Sequence, residues 1–470
     1  MRLTIIGAGP GGYETAVAAA KSGIETVIIS DGHVGGTCLN EGCIPTKSFC
    51  RNAEVMDDLA NAETFGIGDL SYKFDFSKVL ERKNSVVAQL RSGVEGLLKH
   101  KNITLIRGNA AFKDAHTVRI SSDNSETDGQ EISSDYFIIA TGSHSATLPI
   151  PGNDLDGVIT SKEILDIEDV PKRLCVIGAG VIGLEFASIF RSFGSEVNVV
   201  EYCKDILPRF DTDLAKRLKQ ALGKRGIGIE TGAQVQSIER DGDSLVVTYL
   251  KKDKEFRIEA DKVLMAVGRR PNIASAALDA AGVEYGPRGV VVDADMRTNV
   301  PHIFAIGDIT GGMMLAHVAS FQGRLALKAI LSESGMCCCD DEARIRLDIV
   351  PAAVFTKPEA ATVGKTEDEC KNASIPVKCL KSFFRANGKA LSMDEPEGFC
   401  KLVVAEGSEA YAPGQILGCH LFGAHSADLI QEVASLMNHN ATVAELAATV
   451  HAHPTLGEVI LDAAHSATIA

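Results

Sequence analysis

Cys38 and Cys43 are the residues in this chain whose type and spacing most directly imply chemistry. They sit in the glycine-bounded run Gly35-Gly36-Thr37-Cys38-Leu39-Asn40-Glu41-Gly42-Cys43-Ile44-Pro45-Thr46-Lys47. Metal-binding cysteine pairs are usually closer in sequence and come with a second pair, and neither condition holds here. If the segment is helical, the two positions are separated by a rise of roughly 7.5 Å along the axis. A disulfide tolerates a Cα separation of only about 4.4–6.8 Å. A bridge between them therefore requires a distorted first turn, and a strained, accessible disulfide is the labile, redox-active kind. Two unrelated buried thiols are the alternative reading.

The pair lies just downstream of elements able to hold a nucleotide. Leu3–Ile6 is a short apolar strand leading into Gly7-Ala8-Gly9-Pro10-Gly11-Gly12. A helical stretch from Tyr13 to Lys21 follows, then a second strand, Thr26–Ile29. This is the βαβ dinucleotide fingerprint: Gly7 permits the tight turn, Gly9 lets backbone approach a pyrophosphate, and Gly12 lets helix pack on strand. A lone match is weak, but the pattern recurs. Leu174–Ile177 precedes Gly178-Ala179-Gly180-Val181-Ile182-Gly183, a helix to about Phe193, and the strand Val197–Val200 closed by Glu201. An acid about 20 residues after the first glycine accepts ribose hydroxyls and repels a 2′-phosphate. The second site therefore reads as NAD rather than NADP, with Lys204 the only basic residue nearby. In the first site the same offset from Gly7 lands on Ser30. Either Ser30 or the adjacent Asp31 meets the ribose there. Two dinucleotide folds beside a cysteine pair point to an electron relay, and a flavin is the cofactor that links nicotinamide to thiol chemistry.

Composition bounds the rest. At 470 residues, the chain predicts two to four domains; 44 glycines and no tryptophan suit an α/β protein with many tight turns. A formal charge of −15 argues against nucleic acid and anionic membrane as partners. No run approaches the roughly 20 apolar residues of a membrane span. The first strand begins by Arg2 or Leu3, which predicts no signal or transit peptide, hence a soluble cytoplasmic protein or a processed organelle protein. Most of the 12 cysteines read as small buried hydrophobes. Cys337-Cys338-Cys339 reads as a reactive surface loop, with a soft-metal or regulatory role the alternative.

With these features in hand, the chain resembles the pyridine nucleotide–disulfide oxidoreductases, and most closely their lipoamide branch. The first fingerprint, with Tyr13 after it, resembles the family's FAD site. Gly36–Lys47 resembles its redox disulfide, with Leu39-Asn40 and Ile44-Pro45-Thr46-Lys47 favouring the lipoamide branch. Ile138-Ile139-Ala140-Thr141-Gly142-Ser143 and Gly268-Arg269-Arg270-Pro271-Asn272 resemble the two crossings out of and back to the FAD domain. Ile303-Phe304-Ala305-Ile306-Gly307-Asp308 resembles the second FAD motif. Pro358-Glu359, Val363-Gly364, Thr366-Glu367, Ile416-Leu417-Gly418 and the helix Ala427–Met437 follow the dimerisation domain, with Ser408–Gln415 a slightly enlarged hairpin loop. His451-Ala452-His453-Pro454-Thr455-Leu456-Gly457-Glu458 completes the match. Gly457 stands where relatives often carry a small polar residue.

The resemblance implies two Rossmann-like domains, for FAD and NAD, plus a C-terminal α+β dimerisation domain. The expected boundaries are 1–146 and 147–273, a central return segment 274–342, and an interface domain 343–470. It further implies oxidation of dihydrolipoamide to lipoamide with reduction of NAD+. Cys38 is then the interchange thiol and Cys43 the thiol nearer the flavin. His453 is the acid–base, oriented by Glu458 and facing the disulfide of the other subunit; exchange needs a base to make the attacking thiolate. Lys47 and Glu185 form an ion pair beside the flavin. FAD contacts are expected from Gly7, Gly9, Gly12, Ser30 or Asp31, Gly36, Thr37, Lys47, Thr141, Gly142, Gly307, Asp308 and Ala316, and Gly268 is a further cofactor contact. NAD contacts come from Gly178, Gly180, Gly183 and Glu201. No metal is expected. The partners are a second copy of the chain and a lipoyl-bearing protein of a 2-oxoacid dehydrogenase or glycine cleavage complex. A glutathione-type reductase is the nearest rival, and Glu201 argues against its usual NADP. A non-catalytic flavoprotein subunit would be free to lose the cysteines and the dyad. Helical spacing of Val87, Leu90, Val94, Leu97 and Leu98 predicts a helix capped by Asn84. Segments from Ile103 and around Phe137 alternate like antiparallel strands.

Overall fold

A computed structural model describes residues 1–336 and 345–467. Cys337–Cys339 and the expected boundary at 342 lie outside the described residues. The chain divides into two compact units, Met1–Ser48 with Ser77–Ala146 and Gly268–Ile345, and Phe49–Phe76 with Thr147–Val267 and Arg346–Ala470.

The first unit is built on a parallel sheet in the order Ile303–Ala305, Tyr136–Ile139, Arg2–Ile6, Glu25–Ser30, Ile103–Arg107. Leu3, Ile5, Ile28, Phe137 and Ile138 are fully or almost fully buried. Continuous apolar strands of this kind suit a parallel sheet covered on both faces. The helices Pro10–Lys21 and Ala316–Glu333 approach closely because their facing residues are small. A Cβ on Gly11 would lie 2.9 Å from the Ala319 carbonyl oxygen, and one on Gly323 2.0 Å from Thr15 Oγ1. An antiparallel set, Asn109–Asp114, Thr117–Ser121 and Glu131–Ser133, packs Phe112 and Val118 into the same core as Ile6, Val27 and Phe137.

Two expectations are corrected here. Ile103–Arg107 and Tyr136–Ile139 are parallel strands of the nucleotide-binding sheet, and only the segments between them are antiparallel. Alternation along a strand does not reveal its direction. Asn84 caps nothing, because its helix runs Phe76–Leu97. The buried stripe includes Val79, Lys83, Val87 and Val94, whereas Leu90 and Leu97 are exposed. A buried lysine interrupted the apolar pattern that would have marked the true start.

In the second unit a parallel sheet runs Ile227–Thr231, Glu196–Glu201, Arg173–Ile177, Lys262–Met265, Val158–Ile159. An antiparallel meander, Gln234–Asp241, Ser244–Lys251 and Lys254–Ala260, shares its core through Val247 and Met265. A five-stranded antiparallel sheet follows, in the order Ala352–Val354, Ala360–Gly364, Ile416–Phe422, Phe399–Ala405, Val377–Phe383. The helices Ser426–Asn438 and Glu458–His465 pack on it around Leu402, Leu421, Val433 and Ile460. One strand residue, Lys401, is 2% exposed, and its Nζ lies 2.9 Å from Asp211, 3.1 Å from Asp213 and 2.8 Å from Glu367. Burying that cation is tolerable only with such partners. The architecture is thus α/β, with two doubly covered parallel sheets and a C-terminal α+β region. Among the described residues no helix is long and apolar enough to cross a membrane.

Candidate active site

The cysteine run begins where the first fingerprint ends. Gly35 has φ 94° and donates its N–H to the Ala8 carbonyl at 2.8 Å. A Cβ on Gly36 would lie 2.7 Å from Gly9 Cα, so only glycine lets this segment rest against the phosphate-type loop. The helix Gly36–Glu41 then breaks at Gly42, and a second helix, Cys43–Ala60, starts at the second cysteine. Asn40 braces the break: its Nδ2 donates to Val34 and Gly36 carbonyls at 3.0 and 2.9 Å, and its Oδ1 accepts from Arg91 Nε at 2.8 Å. Thr46 Oγ1 donates to the Gly42 carbonyl at 2.6 Å.

Cys43 is exposed and Cys38 half-buried. A hydrogen bond to Cys43 is the main cause holding the Cys38 thiol well above its ordinary value; burial adds to it, and the Lys47 charge opposes both. Two sulfurs sharing one proton ionise as a pair, so the reduced pair carries at most one negative charge under ordinary conditions.

The two fingerprints have the same steric signature. Gly7 and Gly178 have φ 111° and 106°. Their Cβ positions fall 2.2 Å from the Ala140 oxygen and 2.4 Å from the Ala266 oxygen. On Gly12 and Gly183 a Cβ would sit 2.0 Å from the Gly7 and Gly178 oxygens, respectively. The middle glycines differ. Gly9 and Gly180 have φ −71° and −77°, which any residue adopts, and a Cβ there meets nothing within 4 Å. Neither backbone nor packing asks for glycine at these two helix N-caps. A ligand that must come close to the backbone does, and helix N-termini favour a phosphate. The residues therefore fit a dinucleotide at each site.

Glu201 ends its strand almost buried, its two carboxylate oxygens accepting from Ala179 N–H at 2.5 Å and Cys203 N–H at 2.6 Å. In the first site Ser30 is buried and donates to the Gly32 carbonyl at 3.1 Å, while Asp31 is exposed.

Thr141, Gly142, Gly268, Gly307 and Asp308 meet in the first unit. Asn272 Nδ2 donates to the Thr141 carbonyl at 2.9 Å, and Asn272 N–H to the Gly142 carbonyl at 3.0 Å. Ala146 N–H donates to the Gly268 carbonyl at 2.9 Å. Asp308 accepts from Ser143 Oγ at 2.5 Å, and Ser143 Oγ accepts from Arg269 Nε at 2.7 Å. Arg269 Nη2 also donates to the Ser143 carbonyl at 2.7 Å. Gly307 N–H donates to Gln322 Oε1 at 2.7 Å, on the helix that Ala316 begins. Lys47 is half-buried on the second cysteine helix. Glu185 is buried and accepts from Phe355 N–H at 3.0 Å.

In the second unit His453 Nδ1 lies 2.9 Å from Glu458 Oε1, and Glu458 Oε2 accepts Thr455 N–H at 2.8 Å. Chiefly through that backbone hydrogen bond, and also through His453, the Glu458 carboxyl is held below its ordinary range. The His453–Pro454 peptide is cis. An ionised Glu458 accepts a proton-bearing Nδ1, which leaves Nε2 as the basic nitrogen. His453 is 79% exposed, so that nitrogen is accessible.

Sequence reasoning missed three groups. Glu432 lies 2.8 Å from His451 Nε2, Arg269 and Ser143 bracket Asp308, and Lys401 gathers three carboxylates. Arg269 and Ser143 lie within the quoted motifs but were given no role; the other partners are remote in sequence and carried no local signal.

Residues 1–323 match the family described as pyridine nucleotide-disulphide oxidoreductase, and residues 350–464 match its dimerisation domain. The chain belongs to this family. Similar proteins include the dihydrolipoyl dehydrogenases of Chlamydia muridarum and Geobacillus stearothermophilus, each 38% identical over 98% of this chain and 95% of the relative. Among solved structures, LpdA from Mycobacterium tuberculosis is similar at 28% identity, with a TM-score of 0.88 and 99% of both chains covered. The HOCl-induced flavoprotein disulfide reductase RclA from Escherichia coli is similar at 29% identity, with a TM-score of 0.85, covering 98% of this chain and 99% of that one.

Proposed function

We propose that this chain catalyses FAD-dependent oxidation of dihydrolipoamide to lipoamide with reduction of NAD+. The observation that carries the reading is the contact between Gly36 and Gly9, which seats the Cys38–Cys43 pair directly on a dinucleotide cradle. The full-length similarity to dihydrolipoyl dehydrogenases supports the substrate.

In the oxidised enzyme Cys38 and Cys43 form the disulfide. One dihydrolipoamide thiolate attacks Cys38 Sγ, forming a mixed disulfide and releasing Cys43 as thiolate. His453 Nε2 takes the proton from the attacking thiol, and Glu458 holds the ring with Nδ1 protonated. The second substrate thiol attacks the mixed disulfide and its proton passes to the departing Cys38 sulfur, so lipoamide leaves with Cys38 a thiol and Cys43 a thiolate. Two electrons then reside on the cysteine pair. On accessibility alone Cys43 would be attacked first; the assignment of Cys38 rests on the family resemblance. Lys47 stabilises the single negative charge of the reduced pair. A flavin held there would supply the two-electron redox link between this cysteine pair and a nicotinamide. Gly7, Gly9, Gly12, Gly36, Thr37, Thr141, Gly142, Gly307, Asp308 and Ala316 would hold FAD, with Ser30 or Asp31 toward its ribose and Gly268 a further cofactor contact. Gly178, Gly180, Gly183 and Glu201 would hold NAD.

In this reading residues 1–146 and 274–342 serve FAD, 147–273 serve NAD, and 343–470 join two copies into a homodimer, as the dimerisation-domain match supports. In the dimer, the His453–Glu458 pair of one protomer serves the cysteine pair of its partner. The electron donor in the cell is a lipoyl-bearing protein of a 2-oxoacid dehydrogenase or glycine cleavage complex, and the compartment is cytoplasmic. Cys38→Ser tests the proposal: lipoamide-dependent NAD+ reduction is abolished while FAD stays bound. Surviving turnover would remove the disulfide mechanism.

A further inference from the structure

The loop carrying His453 holds a second histidine–carboxylate pair that the chemistry above does not use. His451 is largely buried, at 9% side-chain exposure. Its Nδ1 lies 2.9 Å from the Thr449 carbonyl oxygen and its Nε2 2.8 Å from Glu432 Oε1. Each ring nitrogen thus has an oxygen within hydrogen-bond reach, and the two contacts on opposite sides of the ring fix its position and plane.

This clamp sits at the root of the loop. Glu432 belongs to the helix Ser426–Asn438, which packs in the sheet core through Val433 and Ile430. Gly457, where the helix bearing Glu458 begins, faces the same pair: a Cβ there would lie 3.7 Å from His451 Cδ2 and 4.0 Å from Glu432 Oε2. The far side of the loop is tied by Asn387 Nδ2, which donates to the Thr455 carbonyl at 3.0 Å. Thr455 Oγ1 donates to the Ala452 carbonyl at 2.8 Å. His453 projects from between these anchors. Glu432 faces His451 from its helix and the Glu458 carboxylate interacts with it across the loop; the Cys419 thiol lies near Glu432 from the sheet.

We propose that His451 and Glu432 are positioning residues for the His453–Glu458 dyad, fixing where His453 Nε2 meets the attacking thiol. This rests on the thiol-exchange role of His453. Misplacing a reacting group by an ångström costs on the order of 10²-fold in rate. His451→Phe keeps a ring but removes both ring nitrogens.

The test measures steady-state NAD+ reduction by dihydrolipoamide in the holoenzyme, with NADH-dependent ferricyanide reduction alongside, which needs no thiol step. His451→Phe is expected to lower kcat for dihydrolipoamide roughly 10–100-fold with KM little changed and ferricyanide reduction intact. Glu432→Gln keeps a polar atom within hydrogen-bond reach of His451 Nε2 in either amide orientation, so it should stay within about threefold of the parent, whereas Glu432→Ala should not. In a His453→Gln background, His451→Phe should cost nothing further, because both act through the same nitrogen. Unchanged kcat in His451→Phe and Glu432→Ala, or losses that multiply with His453→Gln, would overturn the proposal. If His451→Phe does not fold, Glu432→Ala gives the same comparison. Should His453→Gln itself be silent, the thiol-exchange reading fails instead.

Discussion

The carbonyl oxygen of Gly7 occupies the place a Cβ on Gly12 would need, at 2.0 Å, and Gly178 stands to Gly183 in the same relation. Gly9 and Gly180, between them, face open space. Glycine is thus required for the fold at the first and third positions of each fingerprint and for the ligand at the middle one.

Substitution separates the two. Gly183→Ala should lower stability by about 1–3 kcal/mol through overpacking. Gly180→Ala should leave the melting temperature unchanged yet weaken NAD binding at least about tenfold, or about 1.4 kcal/mol. Thermal melts and equilibrium titration with NAD+ check the pair; equal effects on stability would contradict the assignment.

His453→Gln should slow lipoamide-dependent turnover by roughly 10²–10⁴, the usual loss for a missing acid–base group. Flavin content should not change. Stopped-flow measurement of thiol oxidation isolates the step, and an unaltered rate would remove the dyad from the mechanism.

Arg269 reaches Asp308 through Ser143. If Asp308 holds the flavin, Arg269→Met frees its carboxylate and should raise the dissociation constant of FAD from reconstituted apoprotein at least about tenfold. Wild-type FAD affinity in the variant would show that the arginine serves the fold alone.

Acid stability follows from Lys401 and its carboxylates. Asp213, held first by its hydrogen bond to Lys381 and then by Lys401, is lowered from 3.8 to about 2. Glu367, held by Lys371 and then Lys401, is lowered from 4.5 to about 2. Depressed carboxylates add stability above their unfolded values and lose it as pH falls toward the folded ones. Melting temperature should therefore drop from about pH 4.5 downward. Lys401→Met, leaving a carboxylate buried without its cation, should cost about 3–5 kcal/mol at neutral pH and flatten that slope. The same acid slope in the variant would assign the loss to other groups.

Much of this was legible in the sequence because the signals are local. Strand, glycine turn and helix are contiguous around Gly7 and Gly178, and the cysteines share one short run. His453 and Glu458 lie within one turn and a helix start. What escaped depends on distant segments or on exceptions to polarity. Glu432 meets His451 only because a helix folds back over the loop. Lys83, a charged residue inside a buried stripe, hid the first turns of its helix and made Asn84 look like a cap. Strand direction at Ile103 and Tyr136 is set by the sheet they join, which alternation does not encode.

The central claim is that the Cys38–Cys43 pair accepts electrons from a dithiol and relays them through flavin to NAD+. Anaerobic titration of the oxidised holoenzyme with dihydrolipoamide, followed by absorbance, tests it most directly. The account predicts rapid growth of a long-wavelength thiolate–flavin band, absent in Cys38→Ser, and NADH formation on adding NAD+ but not NADP+. Bound flavin that dihydrolipoamide leaves oxidised, while glutathione or another thiol reduces it, would contradict the account.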